Sequence, residues 1–162
     1  MSPRKSVRQP KNGGDLAAVP ETVEAALAAT AGKPLIVASI EVRWSDLDAF
    51  NHVNNATYLT YLEEARLQWL KHVPGPWFDE LSMPVLAASE VNYRQSIAWP
   101  ARLHVELHCA RLGNSSMTIA HRIVDADDAN RLYSDGHVVL VWMNPASGKS
   151  VPLPDAIRSS VG

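Results

Sequence analysis

VRWSDLDAFNHVNNATYLTYLEEARLQW, Val42 to Trp69, is the stretch whose reading decides the fold. It opens as a strand, with Val42 and Trp44 at alternate positions. A polar loop follows, carrying the carboxylates Asp46 and Asp48 and then Asn51 and His52. From about Asn54 the spacing of Tyr58, Leu59, Leu62, Ala65 and Trp69 predicts a helix. It reads as apolar almost all round, and so as buried on several sides. A helix N-terminus presents free N–H groups and the positive end of the macrodipole. It can hold an anion, or polarise a carbonyl that is becoming an oxyanion. Asp48 lies about six residues before the helix start, so a compact loop would fold it back towards that end. The plain reading of Asp or Asn here is a cap or a turn former. By position Asn54 fits the N-cap better than Asp48, and Asp46 reads as a loop former bonded to backbone N–H groups.

Beyond the helix, His72-Val73-Pro74-Gly75-Pro76 is a breaker cluster, and Trp77 to Leu81 reads as one short helical turn. Four strand-like runs follow: Pro84 to Ile97, Ala101 to Ala110, Ser116 to Val124 and Arg131 to Met143. In the second, Leu103, Val105, Leu107 and Cys109 alternate with Arg102, His104, Glu106 and His108. Asp125, Asp127 and Asp128 mark a solvated hairpin tip. Pro154 to Ser159 reads as a last helical turn. With Ile36 to Trp44 the order is one strand, a long helix and four strands on short connections, which favour antiparallel neighbours. The expected class is α+β, one curved antiparallel sheet of about five strands around a long helix.

The chain has 162 residues, enough for one sizeable core, and 46% of them are hydrophobic, as in a globular protein. Its net charge of -2 gives no pull towards nucleic acid. Cys109 is its one cysteine, so no internal disulfide forms, which fits a reducing compartment. No apolar run approaches the roughly 20 residues of a membrane helix, so no membrane insertion is expected. Residues 1–33 read as an N-terminal extension, largely disordered, with a short helix over Glu21 to Ala31; residues 34–162 read as the folded domain. The first 14 residues carry Arg4, Lys5, Arg8 and Lys11 without an acid, a solvated tail in preference to an arm for nucleic acid or membrane.

Other chemistry finds little support. His104, Glu106 and His108 share a strand face, but neighbours there stand about 6–7 Å apart, too far to share one ion comfortably, so no metal is expected. Ser115 and Ser116 lie in no G-x-S-x-G elbow, and no phosphate-cradling glycine motif is present. No cofactor is expected. On the helix, Glu63 and Arg66 stand three apart and can pair. Tyr58 and Trp69 read first as core.

Trp44, Asp46, Asp48, His52, Val53, Asn54, Asn55, Tyr58, Glu63, Ala65 and Arg66 together resemble the signature of hot-dog-fold acyl-CoA thioesterases, in the hydroxybenzoyl-CoA thioesterase-like branch. The resemblance runs from about Ile36 to Arg158 and includes the closing Val141, Trp142, Asn144, Gly148, Lys149, Pro152, Pro154, Ile157 and Arg158. It implies a hot-dog fold and hydrolysis of an acyl-CoA, or of a carrier-protein thioester, in the cytoplasm by a homodimer or homotetramer. By position, Asp48 matches the catalytic carboxylate, either general base or nucleophile. The backbone N–H of Asn55 matches the oxyanion donor. His52 would orient the loop or simply belong to it, and Glu63 would support the site or merely pair with Arg66. Asn51, Asn54 and Tyr58 would face the substrate. Asn51 stands where the family often has glycine, and Asn tolerates the left-handed backbone. Arg94, Arg102, Arg111 and Arg122 are candidates for the coenzyme A phosphates. Two rivals are weighed on the same fold. A hydratase would show D-x-N-P-x-H, and Asp48 to His52 lacks the proline and has its His one place early. An acyl-CoA sensor would carry a DNA-binding helix-turn-helix, for which residues 1–34 are too short and too proline-broken.

Overall fold

A computed structural model describes residues 33–161. Five strands form one antiparallel sheet: β1 (Ile36–Glu41), β2 (Met83–Tyr93), β3 (Arg102–Leu112), β4 (Ser116–Asp125) and β5 (Leu132–Met143). Their order across the sheet is β1-β3-β4-β5-β2. The eighteen-residue helix α1 (Asn55–His72) packs mainly on β1 and β3, and the short α2 (Asp155–Ser159) closes the chain. This is the α+β arrangement expected, and the hot-dog fold. The extension over residues 1–33 and the short helix within it lie outside the described residues, save Lys33.

Alternation makes the sheet two-sided. Leu103, Val105 and Leu107 on β3 pair with Asp125, Ile123 and His121 on β4, and they pack with Met117, Ile119, Val138, Leu140 and Trp142 under the helix. Tyr58, Tyr61, Leu62, Ala65, Trp69 and Leu70 are the helix's contribution to that core. Each such large apolar side chain contributes roughly 1.5–3 kcal/mol on burial. Register shifts at Leu86/Ala88, Cys109/Arg111 and Ile123/Val124 insert bulges, which bend strands and so curl the sheet round the helix.

Three local expectations are corrected. β1 stops at Glu41, because Arg43 to Asp46 turns into a 3-10 helix, so Val42 is buried while Trp44 is exposed. The helix is buried on one side only: Leu59 and Leu67 are exposed. Trp77 to Leu81 is not helical; Asp79 and Ser82 pair as an isolated bridge, with the Leu81 N–H held by the Asp79 carboxylate. The acidic tip is solvated at Asp127 and Asp128, as expected, with Asp127 in an exposed ion pair with Arg102, while Asp125 accepts from the Tyr133 hydroxyl at 2.9 Å.

Candidate active site

The two carboxylates before α1 sit in different surroundings. Asp46 is 4% exposed. Its carboxylate accepts the Arg43 N–H at 2.9 Å, the Arg43 guanidinium at 2.8 and 3.1 Å, and the Tyr61 hydroxyl at 2.6 Å. Burial alone would raise its pKa, but these hydrogen bonds outweigh burial and hold it below the usual carboxylate range. Burial and the Asp46 partner push the Tyr61 hydroxyl upward. The backbone carbonyl of Asp46 also accepts the Asn54 N–H at 2.9 Å. One residue thus ties the turn, the helix and the helix start together, as its reading as a loop former anticipates.

Between these anchors the chain closes on itself. Leu47 and Val53 form a bridge, the Asp48 N–H donates to the His52 carbonyl at 2.8 Å, and the Asn51 N–H donates to the Asp48 carbonyl at 3.2 Å. Asn51 takes φ +60°, the left-handed conformation glycine favours and Asn tolerates. The Val53 N–H donates to Ile97 at 2.9 Å, fixing the loop to the segment after β2. Asp48, half-exposed, accepts through Oδ1 from the N–H groups of Phe50 at 2.8 Å and His52 at 3.3 Å. Its Oδ2 has no hydrogen-bond partner among the described residues. His52 shapes this loop through its main chain; its exposed imidazole makes no hydrogen bond among the described residues.

Asn54 is the N-cap, its side chain accepting the Ala56 N–H at 2.9 Å. A helix start leaves four N–H groups without intrahelical partners. Here the Asn54 N–H goes to Asp46, the Ala56 N–H to the Asn54 side chain and the Thr57 N–H to the Asn54 carbonyl at 2.8 Å. Only the Asn55 N–H lacks an acceptor among the described residues, and Asn55 is exposed.

Tyr58 lies in the core, as its first reading has it. It is 2% exposed, its hydroxyl is 3.4 Å from the Gln95 carbonyl, and burial pushes its pKa up to about 12. Helical phase turns it inward, where its ring meets Tyr93 edge-on at 5.0 Å. Glu63 is exposed on α1 and forms no ion pair with Arg66. Arg66 is instead turned towards the core, where burial lowers its pKa against the opposing influence of Glu63. Arg94, Arg102 and Arg122 are committed to Asp135, Asp127 and Glu106 at 2.8, 2.7 and 3.0 Å, and Arg111 is not free. Glu106 is therefore spent on an arginine, and no cluster of three or more metal-ligating side chains occurs among the described residues. A groove of about 560 Å³ lined by Trp99, Arg102, Asp125, Arg131 and Tyr133 includes neither Asp48 nor Asn55.

Sequence reasoning missed Tyr61, Tyr93 and His121. His121 is 1% exposed and burial pushes its pKa down to about 3. A Cβ on Gly136 would collide with the Glu90 carbonyl and come within 2.8 Å of the His121 ring, so glycine is required there. The mid-strand glycine was the one signal for that close approach.

A long helix lying on a curled five-stranded antiparallel sheet is the hot-dog fold, the fold of the thioesterase class. The family described as the thioesterase-like superfamily matches residues 42–161, and this chain belongs to it. A Xanthomonas campestris structure assigned as an acyl-CoA thioesterase is 50% identical, covers 70% of this chain and 96% of its own, and superposes with a TM-score of 0.65. A thioesterase from Thermus thermophilus, solved with coenzyme A and zinc, is 32% identical over 79% of this chain and 92% of its own, TM-score 0.67. The long-chain acyl-CoA thioesterase FadM of Escherichia coli is 25% identical over 75% of this chain and 93% of its own.

Proposed function

We propose that this protein hydrolyses an acyl-CoA to a free acid and coenzyme A, with Asp48 as the catalytic carboxylate and the Asn55 N–H as the oxyanion donor. The observation that supports this most is the accounting at the helix start. Three of its four N–H groups are spent, and the fourth, on Asn55, is left for an incoming acceptor. A preorganised donor of this kind is typically worth about 10²–10³ in rate. Asp48 is held by two loop N–H groups through one oxygen, which leaves the other to take a proton from water or to attack the thioester carbonyl. Asn51 and the Asn54 side chain are the polar groups at the mouth, His52 closes the loop, and Glu63 is a supporting carboxylate. A cytoplasmic place follows from the coenzyme A pool there; no helix among the described residues is long and apolar enough to cross a membrane.

The working assembly in this proposal is a homodimer, or a homotetramer built from it. β2 is eleven residues long, lies at the sheet edge and exposes Met83, Val85 and Leu86. An open edge of that length calls for cover, and a second copy supplies it. Leu59 and Leu67 on α1, on either side of Glu63 in sequence, would be covered by the same contact. Light scattering that finds an active monomer at assay concentration would overturn the assembly. The activity itself is tested by thiol release from acetyl-, hexanoyl-, palmitoyl- and benzoyl-CoA, where absence of turnover on all four rejects it.

A further inference from the structure

We infer that Tyr93 is a positioning residue for the oxyanion donor, an assignment that rests on the hydrolytic reading of the site. Tyr93 is the last residue of β2 and is about half exposed. Its hydroxyl donates to the Asn55 carbonyl at 3.0 Å. That carbonyl belongs to the first helical residue, whose own N–H has no acceptor among the described residues.

The Asn55 N–H lies in the peptide plane that precedes its Cα, and the plane that follows is joined to it through the Asn55 φ and ψ, so fixing both planes fixes the residue that carries the donor. The plane before Asn55 is pinned where the Asn54 carbonyl accepts the Thr57 N–H at 2.8 Å. The plane after it is pinned on both sides. The Tyr93 hydroxyl holds its carbonyl, and the Asn54 side chain holds its Ala56 N–H at 2.9 Å. A first helical turn otherwise frays readily, because its N–H groups lack the intrahelical bonds that restrain later turns. A tyrosine from the neighbouring strand removes that freedom at the residue where an acceptor must be met to within tenths of an ångström.

The tyrosine is itself fixed. Its ring packs edge-on against Tyr58 at 5.0 Å with an interplanar angle of 83°, and Tyr58 is buried with its hydroxyl at the Gln95 carbonyl. Tyr93 also pairs in the ladder with Ser134 on β5, and the next residue, Arg94, donates its N–H to Tyr133 at 2.8 Å. The hydroxyl therefore couples the position of the sheet to the helix start. Loosening this contact leaves the donor present but less well aimed, so the cost falls on the step in which charge develops on the thioester oxygen.

The test uses the full chain and whichever of acetyl-, hexanoyl-, palmitoyl- and benzoyl-CoA the wild type hydrolyses. Tyr93→Phe keeps the ring and its packing and deletes only the donor. It is expected to lower kcat about tenfold, part of the effect of losing a donor outright, with KM within about twofold. Replacing Tyr93 with 4-aminophenylalanine, which keeps a donor at the same reach, is expected to restore most of the loss. Should Tyr93→Phe fail to fold, 4-fluorophenylalanine fills the hydroxyl's space without donating and takes its place. A merely structural tyrosine would lower the melting temperature and leave kcat alone. A wild type that hydrolyses with Tyr93→Phe holding kcat within twofold overturns this assignment and leaves the hydrolytic reading standing. A wild type that hydrolyses none of the four thioesters overturns that reading, and the assignment falls with it.

Discussion

Asp46 and Asp48 stand two residues apart and occupy opposite environments. Asp46 is buried, with donors from Arg43 and Tyr61 on both carboxylate oxygens. Asp48 is half-exposed, with two loop N–H groups on one oxygen and, among the described residues, none on the other. A carboxylate that every neighbour satisfies holds structure in place; one that is oriented but unsaturated retains an oxygen for chemistry. The difference has a simple cause. The 3-10 turn points Asp46 at the helix, where Tyr61 waits, and the tight loop then carries Asp48 back out.

The largest expected effect comes from breaking the comparison on the reactive side. Asp48→Asn keeps size and hydrogen-bonding capacity, so melting temperature and acyl-CoA binding should hold, while turnover drops by at least about 10²-fold, the lower end for losing a positioned general base. A variant that melts lower yet turns over at the wild-type rate would make Asp48 a loop former like its neighbour.

Asp46→Asn attacks the other side. It should cost about 1–3 kcal/mol of stability, the range for weakening a hydrogen-bonded buried charge, with a smaller effect on turnover than Asp48→Asn. Acid should sharpen the contrast. The folded pKa of Asp46 lies below its ordinary value of 3.8, so the unfolded state binds more protons as pH falls through that region. The stabilisation is present above about pH 4 and is lost below it as pH falls through the folded pKa. Thermal melts from about pH 6 down to about 2.5 should show a step in the wild type that Asp46→Asn reduces; parallel curves would remove Asp46 from the anchoring role.

The smallest effect tests the loop joining them. Asn51→Gly should leave stability within a few tenths of a kcal/mol, because glycine adopts φ +60° without penalty. Asn51→Ala should cost roughly 1–2 kcal/mol, since a Cβ disfavours the left-handed backbone. Equal melting temperatures for the two would mean that the loop relaxes and does not hold Asp48 as described.

Much of this is legible without coordinates. Period-two alternation in β3 and the spacing of Tyr58, Leu62, Ala65 and Trp69 are local consequences of strand and helix geometry, so the element order can be read directly. Asn54 as cap and Asn51 as a left-handed residue are readable for the same reason. Tyr58 is core, as helical spacing reads it first, because residues one position apart on a helix differ by about 100° in direction and its phase falls towards the sheet. Within one chain Glu63 and Arg66 form no ion pair, because Arg66 is drawn to the core while Glu63 stays in solvent. Candidate arginines for phosphate cannot be ranked from sequence, because their acidic partners lie sixteen to forty-one residues away.

By itself the sequence determined the order of elements, the capped helix, the turn at Asn51 and the family to which the chain belongs. Each rests on neighbours within a few residues, or on a motif carried in one continuous run. Only the tertiary structure decided which carboxylate is saturated and that Tyr93 holds the Asn55 carbonyl. Those depend on Asp46 meeting Tyr61 and on Asn55 meeting Tyr93, fifteen and thirty-eight residues apart. Contacts at such separations are set when the helix docks on the sheet, because no local rule of spacing relates the partners.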